Sequence, residues 1–184
     1  MTLSVVVIVL LGLAALYFIS IFNRLVRNKN LVAEGWSGID VQLKKRADLV
    51  PNLVQTVKGY MTHERDILEN VTKFRAQAQQ AGGLAEKARA EGLLSGALGR
   101  LFAVAENYPD LKANQNFLEL QTQLSKIEDD LQLARRYYNG TARDCNILIE
   151  SFPSNLVANM FNFCKADFFE IETPADRDVP QVQF

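Results

Sequence analysis

Residues 3–22 (LSVVVIVLLGLAALYFISIF) contain no Asp, Glu, Lys or Arg. No other stretch constrains the fold so strongly. A helix rising ~1.5 Å per residue covers about 30 Å over such a run, which matches the hydrocarbon core of a bilayer. A secretory signal would carry positive charge before a shorter apolar core and a small-x-small site after it. Met1 and Thr2 carry none, and Phe18 to Arg24 offers no small-residue pair. A retained transmembrane helix is therefore expected. Arg24, Arg27 and Lys29 follow it with no charge upstream. By the positive-inside rule the amino terminus lies outside and the body in the cytoplasm. The chain then divides into a tail and transmembrane helix (1–23), a helical body (24–165) and an extended tail (166–184).

The body has the material for a core and a soluble surface, since 48% of the chain is hydrophobic and 22% charged. A net charge of −1 argues against nucleic acid as a partner, because phosphate binding needs a basic surplus. Lys44-Lys45-Arg46 is the densest basic block, and Asp48 follows it directly. Catalytic chemistry is short of parts. With one histidine and two cysteines, Cys145 and Cys164, the chain falls short of the four ligands of a structural zinc site. A second histidine is also lacking for a nucleophilic triad or a di-iron bundle. His63 begins His63-Glu64-Arg65-Asp66-Ile67, where a zinc-protease helix would need histidine at Ile67. No catalytic, metal or cofactor site is expected, and no small-molecule substrate is evident.

Helical periodicity dominates what remains. Trp36, Ile39, Leu43, Ala47, Val50, Val54, Val57, Met61, Leu68, Val71, Phe74 and Ala78 fall at three- and four-residue spacing. They predict one long helix running to about Gln80, with a gap in the stripe near position 64. Pro51 predicts a kink, or else a break into two helices. Gly82-Gly83 ends the segment. A second helix, about 84–106, aligns Leu94, Leu98, Leu101 and Ala105, with Gly92, Gly96 and Gly99 expected to permit close helix approach. Asp110 is the expected cap of a third, very long helix with Phe117, Leu120, Leu124, Ile127, Leu131, Ala134, Tyr138, Thr141, Cys145 and Leu148 on its face. Asn139-Gly140 is expected to be a weak point without a break. Ser154 is expected to cap a short fourth helix, about 155–163, and Phe168, Phe169 and Ile171 to tuck against the body.

The fold class that follows is all-α: an N-terminal transmembrane helix, then a cytoplasmic antiparallel four-helix bundle with very long first and third helices. Asp40 lies at the edge of the first stripe, where a partly buried carboxylate needs a partner. Arg135 or Arg136 of the third helix would fix register; Lys44, four residues on, would make a local pair.

Over nearly its whole length the chain resembles the LemA family. Gly38-Ile39-Asp40-Val41-Gln42-Leu43-Lys44-Lys45-Arg46-Ala47-Asp48-Leu49-Val50-Pro51-Asn52-Leu53-Val54 carries the resemblance, with LSGALGRLFAVAENYPDLKAN (94–114), ARRYYNG (134–140) and IESFPSNLVA (149–158). The resemblance implies a single-pass bacterial inner-membrane protein with a short external amino terminus, a cytoplasmic four-helix bundle and no enzymatic activity. The residues singled out are structural candidates: Trp36, Asp40, Lys44, Arg46, Pro51, Arg135, Arg136 and Tyr138. The functional expectation is a membrane-anchored scaffold that binds other membrane proteins or itself. A ligand-binding or enzymatic bundle and a membrane-organising helix array are the alternatives.

Overall fold

A computed structural model describes residues 2–170, and these are all-helical, with no strand among them. The helices are α1 (Thr2–Lys58), α2 (Arg65–Gln80), α3 (Leu84–Ala105), α4 (Pro109–Lys112), α5 (Gln115–Glu150) and α6 (Ser154–Met160). The chain divides into two compact units. One contains residues 2–39 and 133–168, the other residues 40–132 with 169 and 170. The tail expected beyond residue 170, Ile171 included, lies outside the described residues.

α1 is unbroken for 57 residues and passes straight through Pro51. Proline at 51 has no N–H to give the carbonyl of Ala47, one turn earlier. Arg75 of α2 supplies the missing donor: its Nε donates to the Ala47 carbonyl oxygen at 2.7 Å. The predicted break at Pro51 is therefore absent, and α1 does not extend to Gln80 either. It ends at Lys58, where Tyr60 and Met61 both bond the Val57 carbonyl, at 2.9 and 3.0 Å. The gap in the apolar stripe near position 64 marks the turn between two helices rather than a weak spot within one. His63 sits exposed in that turn.

The larger core lies in the second unit, where Val50, Leu53 and Val57 of α1 meet Leu68 and Val71 of α2. Leu94, Leu98 and Leu101 of α3, with Phe117 and Leu124 of α5, complete it. Leu53 takes the buried place expected for Val54, which is only half-buried. Gly96 and Gly99 do not permit a close helix approach, since a Cβ on either would meet nothing within 4 Å. α5 begins at Gln115, and its cap is Asn114, not Asp110: the Asn114 Oδ1 accepts from the Phe117 N–H at 3.0 Å. Position 110 instead falls inside the four-residue α4, whose first residue is Pro109.

In the first unit Cys145 is buried as expected, while Ala142 and Ile149 take the buried places expected for Thr141 and Leu148. Cys145 and Ile149 share a core with Ile21 and Leu25 of α1 and Val157 and Ala158 of α6. Ser154 is the first residue of α6 rather than its cap. Its hydroxyl lies 2.6 Å from the Leu148 carbonyl oxygen and 2.9 Å from that of Ser151, where α5 ends. The segment after α6 is clasped by Asn146, which donates to the Ala166 carbonyl at 2.9 Å and accepts from its N–H at 2.8 Å. Phe169 is buried and Phe168 exposed. Both cysteines are free, Cys145 buried and Cys164 exposed.

Gly35 marks a close approach of α1 to α5: a Cβ there would lie 3.1 Å from the Tyr138 Cα and 3.3 Å from the Tyr137 ring. Gly38, one turn on, faces open space. In denaturant unfolding of the detergent-solubilised chain, Gly35→Ala is expected to destabilise by ~1–2 kcal/mol, overpacking outweighing its helix-propensity gain. Gly38→Ala is expected to stabilise by ~0.5–1 kcal/mol; equal signs for the two would refute the close approach. Arg75→Met is expected to cost ~1–3 kcal/mol by stripping the Ala47 carbonyl of its donor. Its cost should shrink in a Pro51→Ala background, where position 51 regains an N–H, and a double-mutant cycle measures that coupling.

Candidate functional site

The most heavily constructed polar site lies in the second unit, around Arg46. This residue follows Leu43 by three and precedes Val50 by four, so helical geometry directs it inward with the apolar stripe, and it is 2% exposed. One of its terminal nitrogens, Nη1, donates to Ser95 Oγ at 2.8 Å and to Glu128 Oε2 at 2.9 Å. The other, Nη2, forms an ion pair with the equally buried Glu91 and reaches the Glu91 carbonyl oxygen at 3.4 Å. α1, α3 and α5 are thus tied at one point. A cleft of about 460 Å³, lined by Ser95, Phe102, Gln121 and Glu128 among others, opens onto the guanidinium. A guanidinium does not give up its proton in a protein, so the cluster is built to hold charge in place, not to transfer protons.

The other expected residues fall around this point and apart from it. Asp40 is half-exposed, and its partner is Lys87 of α3, in place of Lys44, Arg135 or Arg136. Lys44 and Arg136 lie on exposed faces, Arg135 is half-buried in α5, and Pro51 is exposed on α1. Trp36 and Tyr138 do meet, in the first unit, with ring centroids 5.9 Å apart in an edge-to-face arrangement. The Tyr138 hydroxyl donates to the Asp167 carbonyl at 2.8 Å. Burial, with Asp167 nearby, pushes this phenol above the ordinary tyrosine range. Burial likewise raises the Cys145 thiol, which favours its inert, protonated form.

Glu91, Ser95 and Glu128 went unnoticed in the sequence. Glu91 stands three residues after Ala88 and three before Leu94, on the apolar face of α3, and that placement was its signal. Among the described residues no group of three or more His, Cys, Asp or Glu side chains is placed to hold a metal. Two further concavities are open and larger than a water site. A cleft of about 480 Å³ in the first unit includes Tyr17, Arg24, Asp144 and Phe152. A groove of about 750 Å³ in the second has Val54, Met61 and Leu68 beside Lys58, Arg65 and Lys73.

Removing Arg46 alone should be severe. Arg46→Leu leaves Glu91 buried without its counter-charge, and a loss of ~3–5 kcal/mol is expected in urea unfolding. Adding Glu91→Leu to it should recover most of that loss, because an apolar pair of similar volume carries no desolvation penalty. A double variant no more stable than the single one would show that the pair does not act as a unit.

The family model described as LemA family matches residues 35–184, a span that includes every residue of the Arg46 cluster. Protein LemA of Metamycoplasma hominis is 26% identical over 168 residues, covering 89% of this chain and 75% of the relative. Magnetosome protein MamQ 2 of Paramagnetospirillum magneticum is 27% identical over 165 residues, covering 76% of this chain. Magnetosome protein MamQ of Magnetospirillum gryphiswaldense is 25% identical over 174 residues. The chain spans 60% and 64% of the lengths of these two MamQ proteins. With a family match over most of its residues, the chain belongs to the LemA family.

Proposed function

We propose that this protein is a single-pass, membrane-anchored helical scaffold that binds copies of itself or other membrane proteins. One observation carries the reading: α1 is long and apolar enough to cross a membrane, and its first turns leave Leu3, Ile8, Leu11 and Leu16 exposed. A soluble core helix would bury such side chains. Arg24, Arg27 and Lys29 support an external amino terminus and a body on the cytoplasmic face of a bacterial inner membrane. The division into an anchor (1–23), a body (24–165) and a tail (166–184) belongs to the same proposal.

Within the body, the second unit's contacts support an antiparallel four-helix bundle. Asp40 pairs with Lys87 and Arg46 with Glu91, so the numbering of α1 and α3 rises together. Arg46 meets Glu128 whereas Tyr60 meets Asn114, so α5 runs against α1. Exposed apolar residues on these helices, Val41, Leu93 and Leu118, supply contact points for partners. The groove beside Met61 favours a second reading, a ligand-binding bundle, because its apolar floor is rimmed by Lys58 and Lys73 together with the Arg65–Glu69 pair, polar groups that could orient a small amphipathic ligand.

Photo-crosslinkers at Val41, Leu93 and Leu118, activated in intact membranes, test the proposal. A crosslinked dimer or one reproducible membrane-protein adduct is the expected outcome. Only monomer at all three positions would overturn the scaffold reading and leave the ligand-binding one in its place.

A further inference from the structure

The corner between α5 and α6 exposes a face that the proposed scaffold role does not use. Phe152 is 80% exposed, Leu156 59% and Met160 66%. Leu156 and Met160, at four-residue spacing, share one side of α6, and Phe152 stands just before it in the turn after α5. Val157 and Ala158 face the other way, into the first unit's core. Phe161 adds a ring that is 47% exposed. A short segment with one face buried and the other made of Phe, Leu and Met has the amphipathic character of a helix lying in a membrane interface.

Its position along α1 supplies the occupant. The Phe161 ring lies 6.1 Å from that of Phe18 and 4.8 Å from that of Phe22, and Phe163 lies 6.0 Å from Phe22. Phe18 and Phe22 are in the last turns of the apolar run. If the run is centred in a bilayer, its rise of ~1.5 Å per residue puts Phe22 about 14 Å from the midplane. The hydrocarbon edge is at about 15 Å, and a tilted helix brings Phe22 closer still to the centre. A ring packed on Phe22 therefore sits at the boundary between acyl chains and headgroups. Arg24, Arg27 and Lys29, all exposed on the next turns of α1, fall at the depth of lipid phosphates.

We infer that Phe152, Leu156, Met160 and Phe161 insert into the interface of the same bilayer that α1 crosses, giving the protein a second, lateral contact with lipid. The occupant is the acyl-chain and glycerol region of that membrane, with anionic headgroups drawn by the adjoining basic residues. This inference rests on the transmembrane reading of α1. It goes beyond it, because a helix can cross a bilayer without any later segment touching lipid. A lateral contact would fix the direction in which the first unit emerges from the membrane, because a single span on its own is free to tilt and rotate.

Tryptophan quenching by brominated lipid tests it in the full chain, reconstituted in phosphatidylcholine–phosphatidylglycerol vesicles with Trp36→Phe removing the native fluorophore. Single probes are Phe152→Trp and Met160→Trp at the corner, Leu10→Trp in the span, and Leu93→Trp on exposed α3 as the lipid-free control. Bromines near the headgroup should quench both corner probes strongly, deep bromines should quench Leu10→Trp best, and Leu93→Trp should be unaffected. Corner probes as insensitive as Leu93→Trp, with Leu10→Trp quenched, would overturn the lateral contact while leaving the span intact. An unquenched Leu10→Trp would instead overturn the span itself, and the inference with it. Equal quenching at Leu93 and Phe152 would also overturn it, since the contact would then not be particular to the corner.

Discussion

A guanidinium removed from water needs acceptors, and the second unit is assembled around one whose two terminal nitrogens meet three side chains while its Nε is buried without a hydrogen-bond partner. Arg46 finds Ser95 and Glu91 on α3 and Glu128 on α5, so a single side chain sets the relative heights of three helices. The apolar residues around it cannot do this. Leucine and valine stripes attract each other without direction, and sliding one helix by a turn would bury similar area. The same slide would leave a charge stranded, at a cost of several kcal/mol. Asp40–Lys87 repeats the α1–α3 pairing nearer the surface, where an exposed ion pair contributes only about 0–1 kcal/mol. Register in this unit therefore depends mainly on the buried cluster.

Pro51 shows the same economy of donors. Proline within a long helix ordinarily bends or breaks it, because a carbonyl is orphaned one turn back. Here Arg75 reaches across from α2 to that carbonyl, so the defect becomes an inter-helix tie. The two arginines act by different routes, Arg46 through carboxylates and a hydroxyl, Arg75 through backbone. Both convert a local liability of α1 into a fixed contact with a neighbour.

What could be read from the sequence follows from which forces are periodic. The apolar run 3–22, the helical class and the α5 stripe were legible, because burial repeats along one face. The place where α1 ends was visible only as a missing member near Glu64, and a gap does not say whether a helix bends or stops. Glu91 was missed because a carboxylate on an apolar face reads as noise until its arginine partner is known, and that partner is 45 residues away. Asp40 was noticed as a partly buried carboxylate in need of a partner, but it is half-exposed, and its partner Lys87 lies on α3, to which no periodicity links α1. Gly96 and Gly99 drew attention that belonged to Gly35, because spacing suggests a close approach and only three-dimensional packing decides it.

Six of the polar side chains that are buried or bridging have one thing in common. Arg46, Arg75, Asn114, Asn146, Tyr138 and Ser154 each meet a backbone group or a fixed charge, at a helix end, a proline gap or a chain crossing. A chain that commits these groups to holding its own helices in place has the character of a framework. Under the proposed scaffold role the contact points are the exposed apolar faces bearing Val41, Leu93 and Leu118, separate from the corner at Phe152. Rigid positioning by buried polar ties is what allows such surfaces to be presented at fixed places, and that is the physical basis for reading this member of the LemA family as a scaffold.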